Sequence, residues 1–248
     1  MTLSQDLYNA LQPGTVEQVL VGASRTVALV RTDAGLRGGM SSTIYSGEYD
    51  LQPAPPLIQP GSMRGKPIHE LAQLFDSTNR REVSIGLAVI NAALPVPVSD
   101  EVVINGDDYL VDNYGGQNVA LIGHFPFVEK ARHKFNNLWV LELNPRPGDL
   151  PASETPRVLP QADVIALTAT TLINKTFDQV MSARKPGTPV LMLGPSTPMS
   201  PRMFDHGIDI LAGTIITDPL NAFRMFQEGG TLRSVRHAGY LKFINLTR

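Results

Sequence analysis

The sequence predicts an α/β protein in two unlike parts: a smaller α+β domain over residues 1–113, then a Rossmann-like three-layer domain with a parallel sheet over residues 114–248. Three observations carry this. After residue 114, short apolar runs alternate with helical patterns, as stacked β-α units do. Before it, two β-rich runs lie only a few residues apart, which forces antiparallel pairing. Between the halves, residues 107–117 contain Gly115-Gly116 and read as the junction, with Tyr114-Gly115-Gly116 as a hinge.

In the first half the strands fall at residues 16–21 and 26–32, with a third extended piece at 40–45. The Pro-rich stretch 51–60 suits neither a helix nor a central strand. Helices follow at 68–75 and 81–93, the second carrying Val83, Leu87, Ile90 and Leu94 at helical spacing. In the second half the strands fall at 118–122, 138–143, 163–167, 189–193 and 208–216. Helices are expected at 127–135, 171–183, 200–206 and 219–227; in the second of these, Leu172, Phe177, Val180 and Met181 approximate one apolar face. The last segment sets Arg224, Arg233, Arg236, His237 and Lys242 among apolar positions. That reads as a closing strand or an amphipathic helix with a solvated basic face, contact within a homo-oligomer being the alternative.

Composition narrows the function classes. The chain has 248 residues, enough for two cores without staples, and no cysteine, which excludes disulfides and thiolate metal sites. Cysteine usage fits a reducing compartment, so a cytoplasmic location is expected. No window approaches 18 uncharged apolar residues, and the first eleven residues lack both a basic start and an apolar run, so neither a membrane span nor a signal peptide is expected. The net charge of −2 hides an asymmetry: residues 1–113 carry 7 basic and 13 acidic side chains (−6), residues 114–248 carry 14 and 10 (+4). A mildly basic half can attract an anion, but it lacks the dense Lys/Arg stripe of a nucleic-acid binder.

The candidate chemistry gathers where strands end. Gly194-Pro195-Ser196-Thr197 follows an apolar strand and exposes hydroxyls and N–H groups at the sheet edge where α/β proteins bind ligands. Thr168-Ala169-Thr170-Thr171 repeats the arrangement after the preceding strand; one hydroxyl suffices as a helix cap, and Thr170 and Thr171 are candidate ligand contacts. Gly123-His124-Phe125-Pro126 occupies the turn after the first strand but lacks the glycines of a dinucleotide fingerprint. Glu142, 19 residues beyond Gly123, is either a ribose acceptor or a surface carboxylate before a turn. Ser196 is not a nucleophile elbow, because Pro198 stands where glycine is needed. His124 and His206 are the candidate bases. Asp205, His206 and Asp209 give a loose metal set that the C-terminus of a short helix before Gly207 explains equally. Arg37, between Gly35 and Gly38-Gly39, offers a planar fork to an anion or is an exposed arginine in a hairpin turn; Asn91 faces the cleft or caps its helix.

The run from Val119 to Glu129, Pro147-Gly148-Asp149-Leu150-Pro151, Leu159 to Val164, Thr168 to Asn174, Gly194 to Pro201 and Gly207 to Gly213, in this order and spacing, resembles the DUF364 family, labelled a heavy-metal chelation domain. The first half is similar to the DUF4213 domain through Gly35-Leu36-Arg37 and the helix ending Asn91-Ala92-Ala93-Leu94. The resemblance implies an enolase-N-terminal-like α+β domain joined to a Rossmann-like one, with the shared residues near the cleft between them. It brings no settled activity.

The resulting expectation is a protein that binds a small molecule or metal chelate in an interdomain cleft. Gly123, His124, Phe125, Glu142, Thr170, Thr171, Gly194, Ser196 and Thr197 come from the sheet edge, with Arg37 and Asn91 opposite. The alternative is an enzyme using a nucleoside-containing cofactor of the S-adenosylmethionine or nicotinamide dinucleotide type. Neither the metal nor the cofactor is identified by the sequence.

Overall fold

The computed structural model describes residues 1–45, 60–95 and 106–248. Helix α1 (Leu3–Asn9) opens the chain, its N-terminus capped by the Thr2 hydroxyl. Strands β1 (Gly14–Val21), β2 (Arg25–Thr32) and β3 (Gly35–Ser42) form an antiparallel sheet in that order. Helices α2 (Ile68–Ala72) and α3 (Arg80–Ala93) complete the first half. Asn79 starts α3 by accepting the Arg81 N–H through its side chain.

The second half begins with helix α4 (Gly106–Tyr114) and strand β4 (Asn118–Ile122). Helix α5 (Val128–Ala131), strand β5 (Asn137–Glu142), the two-residue strand β6 (Leu150–Pro151) and helix α6 (Thr155–Val158) follow. Then come β7 (Val164–Thr168), helices α7 (Thr170–Asn174) and α8 (Phe177–Ala183), β8 (Val190–Leu193) and β9 (Ile210–Ile216). Helices α9 (Pro219–Gln227) and α10 (Leu232–His237) and strand β10 (Leu241–Thr247) close the chain. The large sheet has the order β10-β9-β8-β7-β4-β5-β6, parallel throughout except that β10 runs antiparallel to β9. The chain therefore moves outward from β4 to β6, then returns to β7 on the other side of β4. This reversal is a topological switch point.

Strand alternation decides the layers, because successive side chains point to opposite faces. In β4, Ala120 joins the core shared with the first half, while Val119 and Leu121 pack with Leu110 of α4, Val128 and Phe135. In β2, Ala28 and Val30 join the core built on α3, while Val27 and Leu29 join Met40, Phe223 and Phe226. The small sheet is thus enclosed between α3 and α9, one helix from each half of the chain. Helix α3 is buried almost all round, from Glu82 to Ile90 and again at Ala92 and Ala93. Apart from Glu82 and Ser84 these buried positions are apolar or glycine, which places the helix in the interior, and each fully buried Leu or Ile stabilises by about 1.5–3 kcal/mol. One apolar cluster runs from Leu7 and Val16 through α3 to Leu167, Leu172 and Met203. The two halves share a core.

Several expectations change on the structure. The residues expected to form the junction are the helix α4, whose Leu110 is fully buried; Gly115 and Gly116 end it by donating to the carbonyls of Val111 and Lys134. The single helix expected at 171–183 is two, because Lys175 adopts the left-handed conformation (φ 59) and the Thr176 N–H bonds the Thr171 carbonyl. That turn carries the Lys175 ammonium onto the Phe75 carbonyl and over the Phe75 ring. The 127–135 helix is only α5 followed by a 3-10 turn. The glycine-rich segment around Arg37 is no hairpin turn: it is the first half of β3, paired residue for residue with β2. Closing strand and helix both exist, as β10 and α10. Helix α1 and strand β6 carried no sequence signal strong enough to predict them. The Pro-rich stretch 51–60 lies outside the described residues except for its last proline.

Gly39 is what lets β3 approach α3. A Cβ there would lie 2.1 Å from the Ala92 nitrogen and 2.4 Å from the Ala88 oxygen, both backbone atoms that cannot rotate away. We predict that Gly39→Ala lowers stability by about 1–3 kcal/mol or more through overpacking, measured by urea denaturation; an unchanged midpoint contradicts the close approach.

Candidate functional site

The carboxyl ends of β4 and β7 diverge at the switch point, and the residues that follow them build the site. Gly123 ends β4 at φ +101, donating its N–H to the Leu141 carbonyl at 2.9 Å. A Cβ at this position would stand 2.8 Å from Cγ2 of Thr168, so glycine is required on two counts. Next, the His124 N–H donates to Oε1 of Glu142 at 2.8 Å, while Oε2 of Glu142 accepts the Leu143 N–H at 2.9 Å. The Glu142 carboxylate therefore ties the end of β5 to the turn after β4.

The His124 imidazole is fixed by a residue to which the sequence assigned no role. Its Nδ1 lies 2.9 and 3.1 Å from the two carboxylate oxygens of Asp149, whose side chain is fully buried and also accepts the Arg146 N–H at 3.1 Å. A carboxylate only accepts, so in the neutral imidazole the proton sits on Nδ1 and the lone pair on Nε2. This pair is preorganised in the way catalytic histidines are, but His124 lines neither of the two cavities beside it.

A cavity of about 260 Å³ opens at the switch point, lined by Gly123, Glu142, Thr168, Thr170, Thr171, Asn174 and apolar residues including Ile122 and Val180. The threonines divide their work. Thr171, almost wholly buried, donates to the Thr168 carbonyl at 2.8 Å and closes the strand. The Thr168 and Thr170 hydroxyls pair at 3.0 Å, and the Thr168 hydroxyl also accepts the Thr170 N–H at 3.3 Å. Oδ1 of Asn174 is buried with no hydrogen-bond partner.

The remaining candidates are elsewhere. Ser196 is 1% exposed; its Oγ accepts the Ser42 N–H at 2.8 Å and donates to the Ser42 hydroxyl at 3.2 Å. Nδ2 of Asn91 donates to the carbonyls of Met40 and Ser196 at 2.9 and 3.1 Å. The Thr197 hydroxyl donates to the Ala212 carbonyl at 3.3 Å. The strand-end turn and the first domain do converge, but by bonding to each other. Arg37 closes the C-terminus of α3, donating to the carbonyls of Ala92 and Leu94 at 2.9 and 2.6 Å; burial pulls its pKa below the usual arginine value. Only a small space of about 130 Å³ remains beside Arg37, Asn91 and Pro195. Phe125 and Gly194 line a separate cavity of about 500 Å³ on the far side of the Gly123–Phe127 turn. In the loose metal set, Nε2 of His206 bonds Asp6 of α1 at 2.8 Å, and Asp209 accepts the Val190 N–H at 2.9 Å. Among the described residues no group of three or more His, Cys, Asp and Glu side chains is placed to hold a metal ion.

Comparison with known proteins agrees with this architecture. A family model, DUF364, described as "Putative heavy-metal chelation", matches residues 108–245, more than half of the chain. The chain belongs to the DUF364 family. A second model with the same description, DUF4213, matches residues 5–94. An uncharacterized protein of Methanocaldococcus jannaschii is 29% identical to this DUF364 protein over 168 residues, a match spanning 62% of each chain and so under two thirds of the relative's length. Two solved DUF364 structures of unknown function share the fold. That from Desulfitobacterium hafniense has a TM-score of 0.79 at 21% identity, covering 99% of this chain and 98% of its own. That from Pyrococcus horikoshii has 0.81 at 19% identity, covering all of both chains. No described helix is long and apolar enough to cross a membrane.

Sequence reasoning assigned no role to Asp149 or Asn174, and it named Thr168 in the hydroxyl turn without making it a ligand contact. Pro147-Gly148-Asp149 carried part of the family resemblance, and its partner became visible only when β6 was placed beside β5. We predict that Ser196→Ala in this DUF364 protein costs about 1–3 kcal/mol, because the buried Ser42 N–H is left without an acceptor. Chemical denaturation reads this directly, and a neutral substitution contradicts the structural role of Ser196.

Proposed function

We propose that this DUF364 protein binds a small, donor-rich organic molecule, free or as a preformed metal chelate, in the switch-point cavity. The observation that supports this most is the excess of acceptors there. Glu142 accepts only, and each of its oxygens takes one backbone N–H with lone-pair capacity left over. Oδ1 of Asn174 has no donor at all. The Thr168 and Thr170 hydroxyls can turn to either role. A ligand that satisfies this set brings hydroxyl or amine donors, as a polyol does. In this reading Asn91 and Ser196 bond across the two halves, Arg37 and Thr197 bond within their own, and none of the four touches the ligand.

Direct chelation of a heavy-metal ion fits the described residues poorly. Soft and borderline metals favour thiolate and imidazole, whereas this cavity offers hydroxyls, amides and one carboxylate, and the chain has no cysteine. Recognition of a chelate through its organic shell needs only such groups.

One observation favours a second reading, an enzyme with a nucleoside-containing cofactor. Glu142 ends the strand next to β4 and sits beside Gly123, where dinucleotide-binding folds accept the ribose hydroxyls. A ribose diol is itself a donor-rich group. Thermal melting with myo-inositol, adenosine, S-adenosylmethionine and NAD separates the readings, since a bound ligand stabilises by mass action. We predict a rise in melting temperature with at least one of these compounds. We predict further that Thr170→Val combined with Glu142→Gln weakens its binding by about tenfold or more. Unmoved melting with all four, or a double variant that binds as tightly as wild type, contradicts the proposal.

A further inference from the structure

We propose that the cavity beside β10 is a second binding site, for a planar heteroaromatic anion that presents a cyclic amide edge to Asn245. This cavity shares no lining residue with the switch-point cavity, so the inference stands apart from the function proposed above. Asn245 pairs with Ala212 and Phe243 with Thr214 across the antiparallel β10-β9 ladder, and being two residues apart they face the same side of the sheet. The neighbours Ile244 and Leu246 go to the core on the other face. Asn245 is 8% exposed, lines the cavity, and has no hydrogen-bond partner at either Oδ1 or Nδ2.

A buried amide with both ends unsatisfied is costly, and a position that only needed filling would be served better by leucine. An asparagine side chain offers one acceptor and two donors side by side. Its natural complement is an N–H next to a C=O, the edge of a cyclic amide. The rest of the cavity of about 500 Å³ describes the remainder of the ligand. The Phe125 and Phe127 rings, 5.5 Å apart, line it with an aromatic surface suited to a flat ring. Arg233 and Arg236 of α10 stand at its exposed rim, Arg236 with its guanidinium 4.3 Å from the centre of the Phe243 ring. Guanidinium groups recognise carboxylate or phosphate, which places the anionic substituent outward and the amide edge inward.

Orotate carries the cyclic amide edge and the carboxylate together; uracil has only the first and benzoate only the second. The test follows the Asn245 side-chain amide by ¹H–¹⁵N NMR of the full chain while each is added. Orotate is expected to move these signals saturably in the millimolar range, about what a fragment of its size attains, with uracil and benzoate several-fold weaker. Asn245→Leu is expected to melt at the same or a higher temperature and to bind orotate about tenfold more weakly or worse. Arg233→Gln, on the exposed face of α10, tests the anion contact without touching the core, with a loss of about threefold or more expected. The proposal is overturned if orotate at about 20 mM leaves the Asn245 signals unmoved, if benzoate binds as well as orotate, or if both variants bind orotate like wild type.

Discussion

The hydrogen bond from the Ser42 N–H to the Ser196 hydroxyl, 2.8 Å long and sealed from solvent, is the constraint on which the rest of the molecule depends. It joins the last residue of β3 to the turn that follows β8, and Asn91 reinforces it by bridging the carbonyls of Met40 and Ser196. Because α3 and α9 hold the small sheet from both sides, the first domain is part of the second domain's core. That domain covers the end of β8. Ligand-sized space is displaced to either side of the Gly123–Phe127 turn, toward Glu142 on one side and Asn245 on the other.

The turn between these two spaces is held by carboxylates. Glu142 accepts N–H groups of His124 and Leu143, and Asp149 holds the His124 ring and the Arg146 N–H. Acceptor-only groups anchored on backbone donors give a rigid partition, and rigidity is what positions a site to within fractions of an ångström. Three polar atoms without a partner lie beside the partition and not within it. Oδ1 of Asn174 belongs to the switch-point side and both amide atoms of Asn245 to the other, which is where bound groups with matching donors and acceptors would be worth most.

Much of the architecture was legible in the sequence because its elements are locally consistent. The runs ending at Ile122 and Leu193 are short, apolar and followed by glycine turns, as buried strands are, and helix α9 falls where the pattern from Pro219 to Gln227 predicts it. The misplaced elements were those decided by tertiary contact. Lys175 breaks a helical pattern because its ammonium finds the Phe75 carbonyl 100 residues away in sequence. Gly38-Gly39 reads as a turn, yet the missing side chain at Gly39 serves the approach of α3, which begins only at Arg80. The same limit applies to the site. A strand-end serine looks alike whether its hydroxyl meets a ligand or, as at Ser196, the backbone of another domain. Phe125 and Gly194, expected at the sheet edge, do line the second cavity, whereas Asn245, a polar residue inside the apolar run Phe243 to Leu246, was passed over.

Amide hydrogen exchange at Ser42 tests the central claim most directly, because its N–H is the donor of the interdomain bond. If the domains share one core and the turn after β8 is fixed by this contact, Ser42 exchanges only through global unfolding, with the same protection as Ala28 and Val30 in β2. Exchange of Ser42 at a free energy well below theirs would mean that the domains separate in the native state and that the space between them, not the flanks of the Gly123 turn, is open to ligands.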